Sequence, residues 1–125
     1  MEEAVQGIQA LLARELHAGV IRPEGELSAS DLRAIAQYCF REAQEERRQL
    51  IIDFQAVDHL DYRGVGALVA ARQLLLRSGG DLKIAGCSTY LKAIVRAAGA
   101  QDDLELHPTL EDAQVAFLDP TRSYR

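Results

Sequence analysis

Asp58-His59-Leu60-Asp61-Tyr62-Arg63-Gly64 is the densest polar cluster in the chain, and the place where its side chains could do chemistry. An imidazole two residues from a carboxylate suggests a general base held by an acid, or half of a metal site. Two ligands are too few for zinc, which takes three or four, and His17 and His107 stand in no sequence relation to this loop. No nucleophile is paired with a base at a recognisable spacing, so no catalytic residue, metal ligand or cofactor is assigned. A helical pattern begins near Gly64, and the N–H groups of Gly64 to Ala67 with the positive helix end would favour an anion. Arg63 runs against that trend. An exposed cation at a helix N-terminus costs about 0.3 to 1 kcal/mol. Either Arg63 pairs with Asp58 or Asp61, or it serves something other than helix stability.

Other motifs carry less. Gly79-Gly80-Asp81 follows a helix and precedes a strand, the reverse of the order that presents phosphate to a helix, and reads as a helix-ending turn. Gly64-Val65-Gly66 lacks the third glycine and the later acidic partner of a dinucleotide loop, though both glycines would allow close backbone approach. Cys39 and Cys87 have no His or Cys at metal-ligand spacing and read as buried thiols. Tyr62 and Tyr90 read as half-buried surface aromatics.

The elements that must position the cluster follow from the alternation of hydrophobic periods. Leu50-Ile51-Ile52-Asp53-Phe54 is a nearly continuous apolar run, the pattern of a central strand buried on both faces, which puts the polar cluster at its carboxyl end. Before it, Leu32, Ile35, Ala36, Cys39, Phe40 and Ala43 recur at helical spacing, with Ser28 and Asp31 placed as a capping box. After it, Val65, Leu68, Val69, Ala71, Leu75 and Leu76 predict a second helix that Gly79 ends. Leu82 to Ala85 predicts another strand, Ser88 caps a helix carrying Leu91, Ile94, Val95 and Ala98, and Gly99 closes it. Leu104-Glu105-Leu106 alternates as a strand, and Thr109 to Asp112 opens a last helix with Leu110, Ala113 and Phe117 inward. Repeated βα units imply a mostly parallel sheet with right-handed crossovers. The start is open between two patterns: a helix over Val5, Ile8, Leu11, Leu12 and Leu16, or a hairpin turning at His17-Ala18-Gly19 into an extended Val20-Ile21-Arg22 before Pro23.

The chain has 125 residues, 48% of them hydrophobic, enough for one core. Its 14 Lys and Arg against 19 Asp and Glu give a formal charge of −5. No basic cluster is present to release counterions from a nucleic acid. The longest apolar stretch, Val65 to Leu76, falls short of a bilayer span, and Glu2 and Glu3 sit where a signal peptide would be basic. The expectation is a single cytoplasmic domain over 1–125 that binds neither nucleic acid nor membrane.

Gly25-Glu26-Leu27, Leu50 to Phe54, Val57-x-x-Leu60-Asp61-x-x-Gly64-Val65-Gly66-Ala67-Leu68 and Gly79-Gly80-Asp81-Leu82-x-Ile84-Ala85-Gly86, in this order and spacing, resemble the STAS domain. Leu91-x-x-Ile94, Gly99 and Leu110-Glu111-x-Ala113 extend the resemblance to about residues 10–118. Within the family it is most similar to the small bacterial anti-sigma factor antagonists. The resemblance implies an α/β fold, a mixed, mostly parallel sheet flanked by about four helices. It also implies a non-enzymatic, partner-switching role. Such proteins bind a serine-kinase anti-sigma factor and are switched off when that kinase phosphorylates a Ser or Thr at the helix entrance, in the motif Asp-Ser-Ser/Thr-Gly.

Here the motif reads Asp61-Tyr62-Arg63-Gly64. Arg63 stands at the acceptor position and cannot take a phosphoryl group; it is cationic with five fixed donors, so it is no phosphate mimic. Ser28 stands where the family commonly has Asp, and Ser88 and Thr89 are ordinary helix-start residues. The expected partner surface is Ser28 with Asp58, His59, Asp61, Tyr62, Arg63, Gly64 and Gly66, meeting an anti-sigma factor kinase or related regulator without a Ser/Thr switch. Two alternatives are a small anion- or nucleotide-binding sensor and an accessory subunit of a larger complex such as a lipid transporter.

Overall fold

The computed structural model describes residues 18–118, so the choice between helix and hairpin for the first residues lies outside the described residues up to position 17. The elements run β1 (Gly19–Ile21), β2 (Gly25–Leu27), α1 (Ala29–Glu42), β3 (Gln49–Asp53), β4 (Val57–Leu60), a 3₁₀ turn (Tyr62–Gly64), α2 (Val65–Arg77), β5 (Asp81–Ala85), α3 (Thr89–Ala97), β6 (Glu105–His107) and α4 (Leu110–Leu118). Val20 and Ile21 are extended and find their neighbour in β3, which they meet in parallel as Val20↔Ile51 and Ile21↔Ile52. The main sheet has the order β1-β3-β5-β6. Every pairing among the described residues is parallel. Parallel neighbours need crossovers, which α1, α2 and α3 provide.

The continuous apolar run does form the buried β3, between β1 and β5. Alternation along it divides the core. Leu50 and Ile52, with Leu82 and Ile84 of β5, face a large cluster closed by Leu32, Ala36 and Cys39 of α1, Leu68, Ala71 and Leu75 of α2, and Leu91 and Val95 of α3. Ile51 and Ala85 face the other way, onto Ala113 of α4 with Leu110 and Phe117 packed at its edge. Both cysteines are buried in the larger cluster, and burial pushes each thiol up to about 11, which leaves them un-ionised small hydrophobes.

The helix boundaries follow the capping chemistry. Ser28 Oγ accepts from Asp31 N–H at 3.0 Å and Asp31 Oδ2 from Ser28 N–H at 2.9 Å, the reciprocal box that starts α1. Ser88 Oγ accepts from Leu91 N–H at 3.1 Å to start α3. Past α2 and α3, Gly79 and Gly99 take φ of +84° and +74°, the left-handed conformation that ends a helix.

Two assignments change. The last strand is Glu105–His107 rather than Leu104 to Leu106, and its residues are all half-buried instead of alternating. Gly25–Leu27 and Val57–Leu60 are strands that pair with each other in a separate two-stranded sheet. The polar cluster therefore begins within β4 and runs out through its carboxyl end, rather than following the central β3.

Candidate functional site

The parallel pair β2–β4 brings its two carboxyl ends together, with Leu27 opposite Leu60. Asp61 N–H continues the ladder to the Leu27 carbonyl at 2.9 Å. Ser28 and Asp61 thus leave the sheet side by side, each capping its own helical start. Asp61 Oδ1 accepts from Arg63 N–H at 3.0 Å. Gly64 is buried where the 3₁₀ turn meets α1; a Cβ there would stand 2.8 Å from Ala29 Cα and 2.9 Å from Leu32 Cβ. Its missing side chain is a packing requirement between two helix starts, not an opening for a phosphate. Gly66 is exposed, with open space where its Cβ would be.

Arg63 pairs with Asp61 and not with Asp58, which lies exposed on β4. The contact is a two-pronged fork, Nε to Oδ1 at 3.0 Å and Nη2 to Oδ2 at 2.6 Å. The carboxylate offsets the cation that the helix start disfavours, so the surface carries a fixed ion pair with its guanidinium exposed rather than a free positive charge. Hydrogen bonds from the Arg63 side chain and N–H hold the Asp61 carboxyl down at about 2. In Arg63→Ala it should rise toward the ordinary carboxylate range, as a carbon-detected NMR titration would read. A carboxyl that stays near 2 would mean that the fork does not form in solution.

His59 and Tyr90 come together across 31 positions of sequence. His59 Nδ1 and the Tyr90 hydroxyl are 2.7 Å apart, with ring centroids at 5.8 Å. This contact ties β4 to α3 and gives Tyr90 a companion that the sequence does not announce. Ile94 and Ala97, one and two turns further along α3, join His59, Tyr62 and Arg63 around a groove of about 450 Å³. Tyr62 and Tyr90 are exposed by 58% and 53%, well above the ordinary for such large rings. The α3 side of the site was not expected; the signal for it is Tyr90 standing four residues before Ile94, on one helical stripe. The arrangement offers two aromatic rings, a forked ion pair and an apolar floor, a composition of protein-binding surfaces.

No helix among the described residues is long and apolar enough to cross a membrane. No curated protein matches the chain. Among solved structures, the STAS domain of a SulP transporter from Vibrio cholerae superposes with a TM-score of 0.65 over 91% of this chain and 98% of that one, at 20% identity. The anti-sigma factor antagonist SpoIIAA in its unphosphorylated form gives 0.63 over 85% and 89%, also at 20% identity. An anti-sigma factor antagonist from Mycobacterium paratuberculosis gives 0.67 over 80% and 85%, at 25% identity. Transporter domains and antagonists thus share this fold, and the fold alone does not choose between their roles. The STAS domain model matches residues 9–113, and the chain belongs to the STAS domain family.

Proposed function

We propose that this STAS domain is a non-enzymatic binding module of the anti-sigma factor antagonist type, contacting a serine-kinase anti-sigma factor or a related regulator. The contact surface is Ser28 with Asp58 to Gly66, extended onto α3 by Tyr90, Ile94 and Ala97. The observation that carries this reading is the Asp61–Arg63 fork set beside an apolar groove with two exposed tyrosines. A fixed fork and rigid rings lose little entropy on docking, and such residues dominate interface energetics. Residues 58 to 66 contain neither Ser nor Thr, so the module engages its partner without a Ser/Thr switch in this loop. An anion-sensing role is the weaker alternative, because Gly64 is closed by α1 and Arg63 is committed to Asp61.

The test is affinity capture from the source cells with wild type and Arg63→Glu, followed by titration against the captured regulator. Reversing this charge turns the fork into two repelling carboxylates and should weaken binding by about 2 kcal/mol, roughly 30-fold. Equal affinities would remove the loop as the contact surface. The likeness to the Vibrio cholerae transporter domain favours a second reading, an accessory subunit of a transport complex. Capture of a membrane transporter in place of a kinase-type regulator would establish that one.

A further inference from the structure

The ladder between β2 and β4 is irregular beside the groove. Gly25 stands opposite Val57 and Glu26 opposite His59, so Asp58 is an extra residue that β2 does not match. A bulge of this kind breaks the ladder locally and re-aims a side chain. Asp58 is exposed, and no cation among the described residues pairs with it. A free carboxylate is thus presented next to His59, which lines the groove.

The same patch carries the opposite charge. The fork to Asp61 engages Arg63 Nε and Nη2 and leaves Nη1 free to donate, on a side chain that is 71% exposed. Beside it lie the apolar floor at Ile94 and Ala97 and the two exposed rings of Tyr62 and Tyr90. One surface therefore holds a carboxylate and a guanidinium edge, projecting rings and a recess that can take a ring.

Complementary features on a single patch are what a two-fold contact requires. In an isologous interface residue i meets residue j of the second copy while j meets i, so each feature finds its complement on the same surface. A partner of one sign would leave either Asp58 or Arg63 facing a like charge, whereas a second copy pairs both. The formal charge of −5 repels two copies at long range and is screened by salt, so short-range pairing decides a reversible association.

We propose that this patch binds a second copy of the chain in a two-fold dimer, Arg63 of each copy meeting Asp58 of the other and a tyrosine ring of each entering the other's groove. The proposal rests on the reading of this surface as a protein-docking one, and it makes the dimer a competitor of the regulator. The test is sedimentation equilibrium of the purified full chain across micromolar concentrations at physiological salt. Wild type should pass from one chain toward two per particle as concentration rises. Asp58→Arg and Arg63→Asp should each weaken the dimer about tenfold or more, because each sets like charges against one another. Mixed in equal amounts, the two variants should dimerise with one another, since each supplies the charge the other has lost; only a reciprocal contact predicts that rescue. On dilution of wild type the amide signals of Tyr62, Tyr90 and Ile94 should shift. A wild type that stays monomeric, leaving the patch to a regulator alone, overturns the proposal. So do single variants that dimerise like wild type, a mixture that stays monomeric, or dilution shifts confined to another surface. These measurements contain no regulator, so their failure leaves the proposed function standing, and a regulator indifferent to Arg63→Glu removes that function without touching the dimer.

Discussion

Gly64→Ala should destabilise the domain by about 2 to 3 kcal/mol, the upper part of the range for an overpacked site. The new methyl would meet Ala29 Cα at 2.8 Å and Leu32 Cβ and Cδ1 at 2.9 Å. Two of these atoms are backbone or the root of a fully buried side chain, and neither can rotate away. Relief requires α1 to move off the 3₁₀ turn, yet the start of α1 is held by the Ser28–Asp31 box and by the β2–β4 ladder. Gly66→Ala, two residues on, is the control. Its Cβ would enter open space in the first turn of α2, where replacing glycine should stabilise by about 0.5 to 1 kcal/mol. Urea unfolding with an unchanged slope separates the two, as midpoints moving in opposite directions. A Gly64→Ala midpoint equal to wild type would show that this close approach is absent. The same motion would displace Asp61 and Arg63, so partner binding should fall with Gly64→Ala.

The sequence carried the elements whose signal is local. The apolar run Leu50 to Phe54, the Ser28 and Ser88 caps and the closing glycines each act within a few residues, and each element lies where its pattern puts it. β2 and β4 were illegible because they have three and four residues, too few to display a period, and Glu26, Asp58 and His59 dilute their apolar content. They are strands because they pair with each other across more than thirty positions of chain, as Leu27 with Leu60, a tertiary effect that overrides propensity. The site divides in the same way. Asp61 and Arg63 are near neighbours, and their pairing follows from spacing. The Tyr90 companion of His59 and the α3 wall of the groove depend on where a helix lands. Asp53 and Lys83 were hidden inside apolar runs, where each reads as an interruption; only the parallel sheet shows that one ends at a cavity and the other meets a carboxylate.

Lys83 supplies the second large effect. It is 5% exposed on the α4 side of β5, with its ammonium on the Glu105 carboxylate opposite it, 3.6 Å from Asp81 Oδ2 and 4.6 Å from the Phe117 ring centroid. Asp81 is already held by Arg72 at 2.9 Å, and Glu105 by His107 at 2.8 Å. In Glu105→Ala the buried ammonium keeps only a shared, more distant carboxylate, and the cost should be about 3 kcal/mol. The paired change Lys83→Met with Glu105→Leu removes both charges and should lie within about 1 kcal/mol of wild type, since a buried ion pair is worth little against apolar residues of its size. Acid should separate the variants further. Burial by itself would raise the Glu105 carboxyl, but hydrogen bonds from Lys83 and His107 outweigh it and hold the group below its ordinary value. A carboxyl lowered by folding stabilises above its unfolded value and loses that contribution as the pH falls through its folded one. Wild type should therefore lose more stability on acidification than Glu105→Ala. Parallel pH profiles, or a paired variant as unstable as the single one, would refute this account. The weakness should surface first in α4, which among the described residues rests through its own Ala113 on Ala18, Ile51 and Ala85 and whose Phe117 lies over the Lys83 ammonium. Hydrogen exchange in Glu105→Ala should accelerate in α4 while the α2 amides, over the larger core, keep their protection.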